Sequence, residues 1–307
     1  MGTPDLAQAS LRALLDAPDF EVVAVVTQPD RPKGRDLKLQ ASPVKELALR
    51  SNVPVLQPER ARHPDFLEEL RTLKPDLVAV AAYGQILPQS ILDVPRFGCV
   101  NVHTSLLPKY RGAAPIQWAV LNGDADTGVT IMRMDAGMDT GDILTQEKTR
   151  IEESDTAGSV HDRLAQIGAA LLVRTIPEYV AGQIQPRPQP VAGVTMAPKI
   201  KKSDGHLDWS QPAAVLRNRV RGLAPWPGAF AFLPAEPQPH LLKIWQVEIA
   251  DVSGPAGEIL PAEKGALVVG CGSQALRINA LQREGGKRLA AADFLAGHPL
   301  APGVRLV

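Results

Sequence analysis

The sequence predicts an α/β protein, with a doubly wound, mostly parallel sheet followed by a small β-barrel of the OB type. The continuous apolar runs Glu21–Thr27 and Asp76–Ala82 have the pattern of strands buried on both faces of a parallel sheet. Between them, Pro64–Leu73 repeats apolar residues at helical spacing. Short strand patterns separated by turn residues follow in the last third of the chain, which is typical of a small barrel and leaves a sandwich fragment as the alternative.

The first part of the chain continues this alternation. Cys99–His103 is another short strand, and Pro115–Gly123 is predicted as a helix with proline at its start and glycine at its end. Thr127–Met134 and Asp142–Ile151 have strand patterns that extend the sheet, and a long helix is expected over Ser159–Tyr179. Strands that alternate with helices in this way indicate a doubly wound domain of the Rossmann-like kind.

A proline-rich segment separates this domain from the barrel. Residues 182–204 contain four prolines, which favours an extended linker over a regular element. We therefore expect an α/β domain over residues 1–181, the linker over 182–204 and the barrel domain over 205–307. Pro212–Leu223 has a helical pattern. The barrel strands are predicted over Ala229–Leu233, Leu241–Ile249, Gly257–Leu260, Ala266–Cys271 and Ala275–Leu281.

Composition places the chain among ordinary globular proteins, because 45% of its 307 residues are hydrophobic and 21% are charged. No apolar run approaches the ~18 residues that cross a bilayer, and no signal-peptide pattern opens the sequence. Cys99 and Cys271 have neither metal-ligand nor disulfide spacing. We expect a cytoplasmic protein that does not enter a membrane.

The net charge of zero conceals an asymmetry between the two halves. Residues 1–181 hold 19 Lys and Arg against 24 Asp and Glu, a net of −5, and residues 182–307 hold 14 against 9, a net of +5. A basic second domain that meets a polyanion is one explanation. Statistical scatter over two solvated surfaces is the other, and charge alone does not choose between them.

Asn101 and His103 are the first candidate catalytic residues. Alternation along a strand sends both side chains to one face, close to the point where the strand ends. An amide can donate to a developing oxyanion, and an imidazole oriented by a carboxylate can handle protons. The segment "MDAGMDTGD" supplies Asp135, Asp139 and Asp142 as candidate partners. The alternatives are a structural histidine and an ordinary Asp–Gly turn.

Several other chemistries have no sequence support. The chain contains no Gly-x-Gly-x-x-Gly after a strand, no phosphate-binding loop, no Gly-x-Ser-x-Gly and no His-Glu-x-x-His. Its six histidines are scattered and do not suggest a metal site. A reaction without metal, which uses Asn, His and Asp side chains, is therefore favoured.

The stretch from "NVHTSLLPKYRGAAPIQWAV" to "DAGMDTGDIL" closely resembles formyltransferases that use 10-formyltetrahydrofolate. "TQPDRPKGRDLKLQASPVKELA" is similar to the basic loop of the methionyl-tRNA formyltransferases within that superfamily. "AAYGQILP", "DWSQPAAVLRNRVRGLAPWPGA" and "GKRLAAADFLAGHPLAPGVRL" are also similar to them, so the resemblance spans essentially the whole chain.

The resemblance implies that the enzyme transfers the formyl group of 10-formyltetrahydrofolate to the α-amino group of initiator methionyl-tRNA, for translation initiation. It matches Asn101, His103 and Asp139 to the catalytic trio of the family. Asn101 and a protonated His103 are expected to stabilise charge on the formyl oxygen, each by about 3–4 kcal/mol. Asp139 is expected to orient the imidazole and favour its charged form. The resemblance also implies direct transfer without a metal, and we expect a monomer.

The same resemblance implies two sets of binding residues. For the folate donor these are Ser105, Leu106, Leu107 and Pro108, with a candidate cis bond before the proline, and Tyr83, Gly84, Gln85 and Ile86. For the tRNA they are Arg31, Lys33, Arg35 and Lys38 in the first domain, and Lys199, Lys201, Lys202, Arg217, Arg219 and Arg221 after it. The barrel domain over 205–307 is accordingly expected to bind tRNA.

The chain departs from the family at its start. The apolar first strand that family members place before "GTPD" is absent, and Met1 stands in its place. A misassigned start and a real loss of the strand both explain this. In either case we expect the two strands beside it to lack a partner, with a groove between them. Two rival functions stay open: a formyltransferase acting on a small amine, and a non-catalytic RNA-binding module.

Overall fold

The computed structural model describes residues 1–33, 38–235 and 237–307, and the chain divides into two compact units. The units do not follow one another along the chain, because two short segments from the first half belong to the second unit. The proline-rich segment as far as Ala197 belongs to the first unit. The first unit comprises Met1–Pro115, Asp126–Arg150 and His161–Ala197, and the second comprises Ile116–Ala125, Ile151–Val160 and Pro198–Val307.

Helices and short strands alternate through the first half of the chain, as the apolar pattern predicted. The long helix predicted from Ser159 starts two residues earlier and contains Pro177. In chain order the elements are α1 (Asp5–Asp16), β1 (Val25–Val26), β2 (Arg31–Lys33), β3 (Lys38–Gln40), α2 (Pro43–Arg50), β4 (Val55–Leu56), α3 (Pro64–Leu73), β5 (Val78–Val80), α4 (Gln89–Leu92), β6 (Cys99–His103), α5 (Pro115–Leu121), β7 (Asp126–Arg133), β8 (Ile143–Arg150) and α6 (Ala157–Val180).

Parallel pairing dominates the early strands, and antiparallel pairing dominates the late ones. β1 pairs with β4 and β5 pairs with β6, both in parallel. β7 then runs antiparallel to β6, and β8 antiparallel to β7. The predicted α/β class with a largely parallel start is confirmed. β6 lies between β5 and β7, so its side chains occupy the middle of the four-stranded sheet.

Met1 and Gly2 link the β1–β4 pair to the four-stranded sheet. Gly2 N–H donates to the carbonyl of Val26 over 2.9 Å, and Gly2 pairs in parallel with Ala81. The Met1 amino group donates to the carbonyl of Ala79, and its burial lowers the pKa to about 6. These two residues provide the only bridge that the described chain makes between the two sheets.

Beside this bridge lies the groove expected from the sequence, a cavity of about 680 Å³. Residues 19–26 and 73–81 line its two sides, and their side chains are mainly apolar. The run Glu21–Thr27, predicted as one strand, forms ladder pairs only at Val25 and Val26. Residues 22–24 line the cavity and are not assigned to a strand, so a strong apolar pattern does not become a strand there.

The second unit is built on an antiparallel sheet whose strand order is β11, β12, β13, β10 and β9, with β14 paired to β13. Every predicted barrel strand is present, with small shifts of its ends. The elements are α7 (Ala213–Gly222), β9 (Ala229–Leu233), β10 (His240–Ala250), β11 (Ile259–Leu260), β12 (Leu267–Gly270), β13 (Ala275–Arg283), β14 (Leu289–Ala290) and α8 (Ala291–Gly297).

The C-terminal residues close this sheet into a barrel. Val307 and Phe232 of β9 exchange two backbone hydrogen bonds of 2.6 and 3.0 Å. On the other side, Ile259 of β11 donates to Val304, and Leu306 donates to Gly257. The segment 304–307 therefore joins the two edge strands, which removes both free edges. Leu207, Leu216, Leu242, Leu276, Ile278 and Phe294 are among the residues of the core inside.

Among the helices that the structure describes, none is both long and apolar enough to cross a membrane.

Candidate active site

The site is organised around the end of β6. Asn101 pairs with Val80 of β5 and Met132 of β7, and His103 pairs with Thr130 of β7. His103 is 5% exposed, whereas Asn101 is half-buried. The Asn101 amide makes no side-chain hydrogen bond to any residue the structure describes, so both its donor and its acceptor are available to a substrate.

The contacts of His103 assign a role to each ring nitrogen. Nε2 lies 3.0 Å from the backbone carbonyl of Tyr110. A carbonyl oxygen can only accept, so Nε2 carries the proton of the neutral ring. Nδ1 lies 3.7 Å from Oδ1 of Asp139, beyond hydrogen-bond distance. Nδ1 is therefore the nitrogen that can take up a proton, with a carboxylate near enough to stabilise the resulting charge.

Burial lowers the pKa of His103, and the neighbouring Asp139 carboxylate and the Tyr110 carbonyl raise it only in part. Burial therefore favours the neutral form of the imidazole. This differs from the expectation that Asp139 keeps the ring charged. The free energy needed to remove an imidazolium from water is larger than the attraction it gains from one carboxylate at 3.7 Å. The neutral ring is suited to act as a base.

Asp139 is held in a strained backbone conformation. Its φ of +54° lies in the left-handed region, which costs a residue other than glycine about 1 kcal/mol or more. Oδ2 accepts from the Gly112 N–H over 2.8 Å, and this leaves Oδ1 directed at His103. Two residues on, a side chain at Gly141 would lie 1.8 Å from the Arg133 carbonyl, so only glycine fits there.

Gln189, in the proline-rich segment, holds the same loop from outside. Its Nε2 donates to the carbonyls of Asp139 and Gly141, both over 2.8 Å. Its Oε1 accepts from Arg111 Nη2 over 2.7 Å and from Nε over 3.1 Å. Sequence reasoning missed Gln189 and Arg111. Gln189 lies 50 residues from Asp139 and sits between two prolines that indicated only a linker.

The proline-rich segment also pairs with the backbone that follows β6. Tyr110 N–H donates to Thr195 Oγ1 over 2.8 Å, and Arg111 N–H donates to the Thr195 carbonyl over 2.9 Å. At Gly112, φ is +119°, and an added side chain would lie 2.9 Å from the Ala197 carbonyl. This segment is thus a structural part of the candidate site as well as a connector.

Thr130 of β7 is buried in the sheet and hydrogen-bonds the turn that follows β6. Its hydroxyl donates to the Ser105 carbonyl over 2.7 Å and accepts from Leu107 N–H over 3.1 Å and Gln146 Nε2 over 2.9 Å. One donated and two accepted bonds use the full capacity of a hydroxyl. Ser105 is fully buried, and its own hydroxyl donates to the Lys109 carbonyl.

The residues predicted to bind folate divide into buried and exposed groups. Tyr83 and Leu107 lie in apolar core clusters. Burial raises the pKa of Tyr83 to about 12, and its hydroxyl has no hydrogen-bond partner within the described residues. Gln85 accepts from Ala61 N–H over 2.6 Å and so supports a neighbouring loop. Gly84 and Ile86 are exposed, Leu106 and Pro108 are half-buried, and the Leu107–Pro108 bond is cis, as predicted.

The residues predicted to bind tRNA are scattered, and some are already engaged. Arg35 lies outside the residues that the structure describes, while Arg31 is exposed on the β2–β3 hairpin, which also carries Lys33 and Lys38. Lys199, Lys201 and Lys202 are exposed.

On α7, Arg219 donates to the Asp204 carbonyl, and Arg221 donates to Asn218 and to the Glu152 carbonyl. Arg217 lies 3.8 Å from Glu153. These three arginines hold parts of the second unit together, a use that their spacing does not reveal.

Within residues 1–33, 38–235 and 237–307, no three His, Cys, Asp or Glu side chains are grouped so that they could hold a metal ion.

Comparison with known proteins assigns the family. Residues 1–176 match the formyl transferase family, and residues 199–299 match the formyl transferase C-terminal domain. A methionyl-tRNA formyltransferase of Citrifermentans bemidjiense is 50% identical over 303 residues, which cover 99% of this chain and 94% of that protein. A methionyl-tRNA formyltransferase of Geobacter sulfurreducens is 49% identical over 306 residues, which cover 100% of this chain and 95% of that protein.

Solved structures share the fold at lower identity. The N-formyltransferase of Helicobacter canadensis, in complex with folinic acid and dTDP-3-aminofucose, has a TM-score of 0.67 at 18% identity, over 90% of this chain and 96% of that one. HypX of Aquifex aeolicus, in complex with tetrahydrofolic acid, has a TM-score of 0.60 at 18% identity over 90% of this chain. The match covers 47% of HypX, so this chain spans about half its length. With both of its parts matched in order, the chain belongs to the formyl transferase family.

Proposed function

We propose that this protein transfers a formyl group from 10-formyltetrahydrofolate to the α-amino group of initiator methionyl-tRNA in the cytoplasm. This choice of acceptor is supported by 50% and 49% sequence identity, over nearly the full chain, to two proteins named methionyl-tRNA formyltransferase. One structural observation supports the chemistry. A half-buried amide that bonds to none of the described residues and an imidazole whose neutral form burial favours lie on one short strand, and a carboxylate lies beside the imidazole.

The available donor and acceptor atoms fit a formyl group. Asn101 offers an N–H that no described residue takes, as an oxyanion requires. The exposed and half-buried members of the predicted folate set would hold the donor: Gly84, Ile86, Leu106 and Pro108. When bound, 10-formyltetrahydrofolate supplies an electrophilic formyl carbon.

The side chains then have separate tasks. Asn101 donates to the formyl oxygen as negative charge develops on it during attack by the amine. His103 Nδ1 takes the proton that the attacking nitrogen loses, and Asp139 stabilises the imidazolium formed. The proton leaves Nδ1 for the departing folate nitrogen, so His103 ends neutral. Nε2 stays bonded to the Tyr110 carbonyl and keeps the ring in position.

The test is an assay of formyl transfer from 10-formyltetrahydrofolate to several acceptors. Initiator methionyl-tRNA should be formylated, whereas free methionine and an amino-sugar nucleotide should not. The Asn101→Ala/His103→Ala double variant, with unchanged tRNA binding, is the matched control for catalysis. Faster transfer to the amino-sugar nucleotide would favour the small-amine rival. Salt-sensitive tRNA binding without transfer to any acceptor would favour a non-catalytic RNA-binding module.

A further inference from the structure

The outer face of the barrel carries two groups of aromatic and basic side chains on neighbouring strands. His206 stacks on Phe230 with ring centroids 5.4 Å apart, and Phe232 meets Phe230 edge-on at 5.6 Å. Phe230 of β9 is the register partner of Lys243 on β10. Lys243 Nζ lies 5.9 Å from the ring of Trp245, two residues further along the strand.

Arg288 completes this set from the turn between β13 and β14. Its guanidinium carbon lies 5.2 Å from the centre of the Trp245 ring. The ring itself is fixed, because Nε1 donates to Gln282 Oε1 over 3.0 Å and Gln282 Nε2 donates to the Gly286 carbonyl over 2.8 Å. We name His206, Phe230, Phe232, Lys243, Trp245 and Arg288 the aromatic platform.

The platform is not part of the barrel core. Its two phenylalanines and its tryptophan are absent from the cluster of buried residues inside the barrel, and all three are half-buried. His206 and Arg288 are exposed. Packing inside the barrel therefore does not explain three aromatic rings on this face. Aromatic rings that stay partly in contact with water on one face can serve as a binding surface.

Charge indicates the chemistry of that partner. Residues 240–245 and 281–290 contain Lys243, Arg283, Lys287 and Arg288 against the single carboxylate of Glu284. Rings that stack bases, beside cations that contact phosphates, are the features with which proteins hold unpaired nucleotides. When a base stacks on the face of the tryptophan ring, the Arg and Lys side chains that lay over that ring can instead contact a phosphate.

We propose that the aromatic platform binds unpaired nucleotides of the tRNA, with Trp245 stacking on a base and Lys243 and Arg288 contacting the adjacent phosphates. This inference deepens the proposed function, because it gives the acceptor RNA a docking surface. None of these six residues is among the positions that the family resemblance assigned to tRNA.

Binding measurements separate stacking from charge. The probes are initiator tRNA and a short single-stranded RNA, titrated at several salt concentrations. Trp245→Ala should weaken binding by about tenfold or more, and leave the slope of log K against log salt unchanged. Trp245→Phe, which keeps a stacking ring, should bind within about threefold of the wild type. Lys243→Ala/Arg288→Ala should reduce the slope by about 1.5–2.

Controls identify the outcomes that overturn the proposal. Lys264→Ala removes an exposed cation of the same unit that is not part of the platform, and it should leave affinity for the single-stranded probe unchanged. If Trp245→Ala binds RNA as tightly as the wild type, the proposal is wrong, and the platform has a structural or protein-binding role. If Trp245→Phe and Trp245→Ala lose the same affinity for RNA, Trp245 acts through packing and the proposal is also wrong. Formyl transfer by the wild type is measured separately, so a failure of the proposed function is recognised independently of these results.

Discussion

Gln189 donates its side-chain amide to the backbone carbonyl of Asp139 over 2.8 Å. This bond joins the proline-rich segment to the residue whose carboxylate lies beside His103. Because Asp139 has a φ of +54°, its backbone needs outside support to stay in that conformation. Arg111 supports Gln189 in turn through two hydrogen bonds to Oε1. The position of the carboxylate thus depends on a residue outside the catalytic loop.

Gln189→Ala should therefore lower kcat by about tenfold, with little change in KM for the tRNA. The Asp139 loop loses two hydrogen bonds, each worth about 1 kcal/mol, and the strained backbone relaxes. Gln185→Ala is the matched control, because Gln185 lies in the same segment and, among the described residues, its side chain bonds only to the Gly182 carbonyl. Steady-state kinetics of both variants make the comparison. A Gln189→Ala enzyme with wild-type kcat would show that the loop around Asp139 keeps its conformation without Gln189.

Asn101→Ala should separate activity from stability. The amide makes no hydrogen bond within the described chain, so its removal should change the free energy of unfolding by less than about 1 kcal/mol. Loss of an oxyanion donor should lower kcat by about 10²–10³-fold. Asn279→Ala, a half-buried asparagine of β13, should change neither kcat nor KM. Denaturant unfolding and formylation kinetics are the measurements; a folding defect that matches the activity loss would contradict the assignment.

The titration of His103 should lie below its ordinary value. Burial lowers the pKa from 6.5, so the ring gains its proton only as the pH falls below that value. Asp139→Asn removes the charge that raises the pKa, and the midpoint should move to still lower pH. Proton NMR of the His103 ring follows both midpoints without substrate. His103→Gln assigns the His103 resonance, and His161→Gln, which removes a half-buried histidine beside Asp162, should leave that resonance and its midpoint unchanged.

The same shift has a consequence for stability. The unfolded chain protonates this histidine near pH 6.5, whereas the native state does so only at lower pH. The contribution of His103 to stability is therefore complete above pH 6.5 and is lost as the pH falls below it. A His103 midpoint above 6.5 would overturn both the neutral-base assignment and this pH dependence.

Local patterns were sufficient for much of the fold. The helical spacing of Pro64–Leu73 predicted α3 with both of its ends correct, because an amphipathic face and a proline start are properties of the segment itself. Glu21–Thr27 was a strong strand pattern as well, but only Val25 and Val26 found a ladder partner. A strand needs a neighbour, and the neighbour is not encoded in the strand's own residues.

The candidate site shows the same division. Asn101 and His103 could be predicted because two residues on one strand have a fixed relationship. Gln189 could not, because its partner lies 50 residues away and no periodicity connects them. Arg219 and Arg221 were predicted to contact tRNA from the family resemblance and the positive charge of the second half, and their bonds to backbone carbonyls depend on packing that neither of these reports.

Thr130→Val tests whether the hydroxyl beneath the catalytic turn is required. Valine has nearly the same shape, but it leaves the Ser105 carbonyl and the Leu107 N–H without a partner in a buried site. The expected cost is about 2–3 kcal/mol of unfolding free energy, since each orphaned group costs about 1–3. Because Thr130 is the register partner of His103, kcat should fall as the turn loosens.

Thr130→Ser is the informative companion variant, because it keeps all three hydrogen bonds and loses only a methyl group, worth about 1 kcal/mol. Thr72→Val, on an exposed turn of α3, should leave stability within about 0.5 kcal/mol of the wild type. A loss in Thr130→Val that is no larger than the loss in Thr130→Ser would show that the hydroxyl contributes little to the turn. A small loss for serine and a large one for valine would show that the hydroxyl holds the turn on which His103 and the cis Leu107–Pro108 bond are placed.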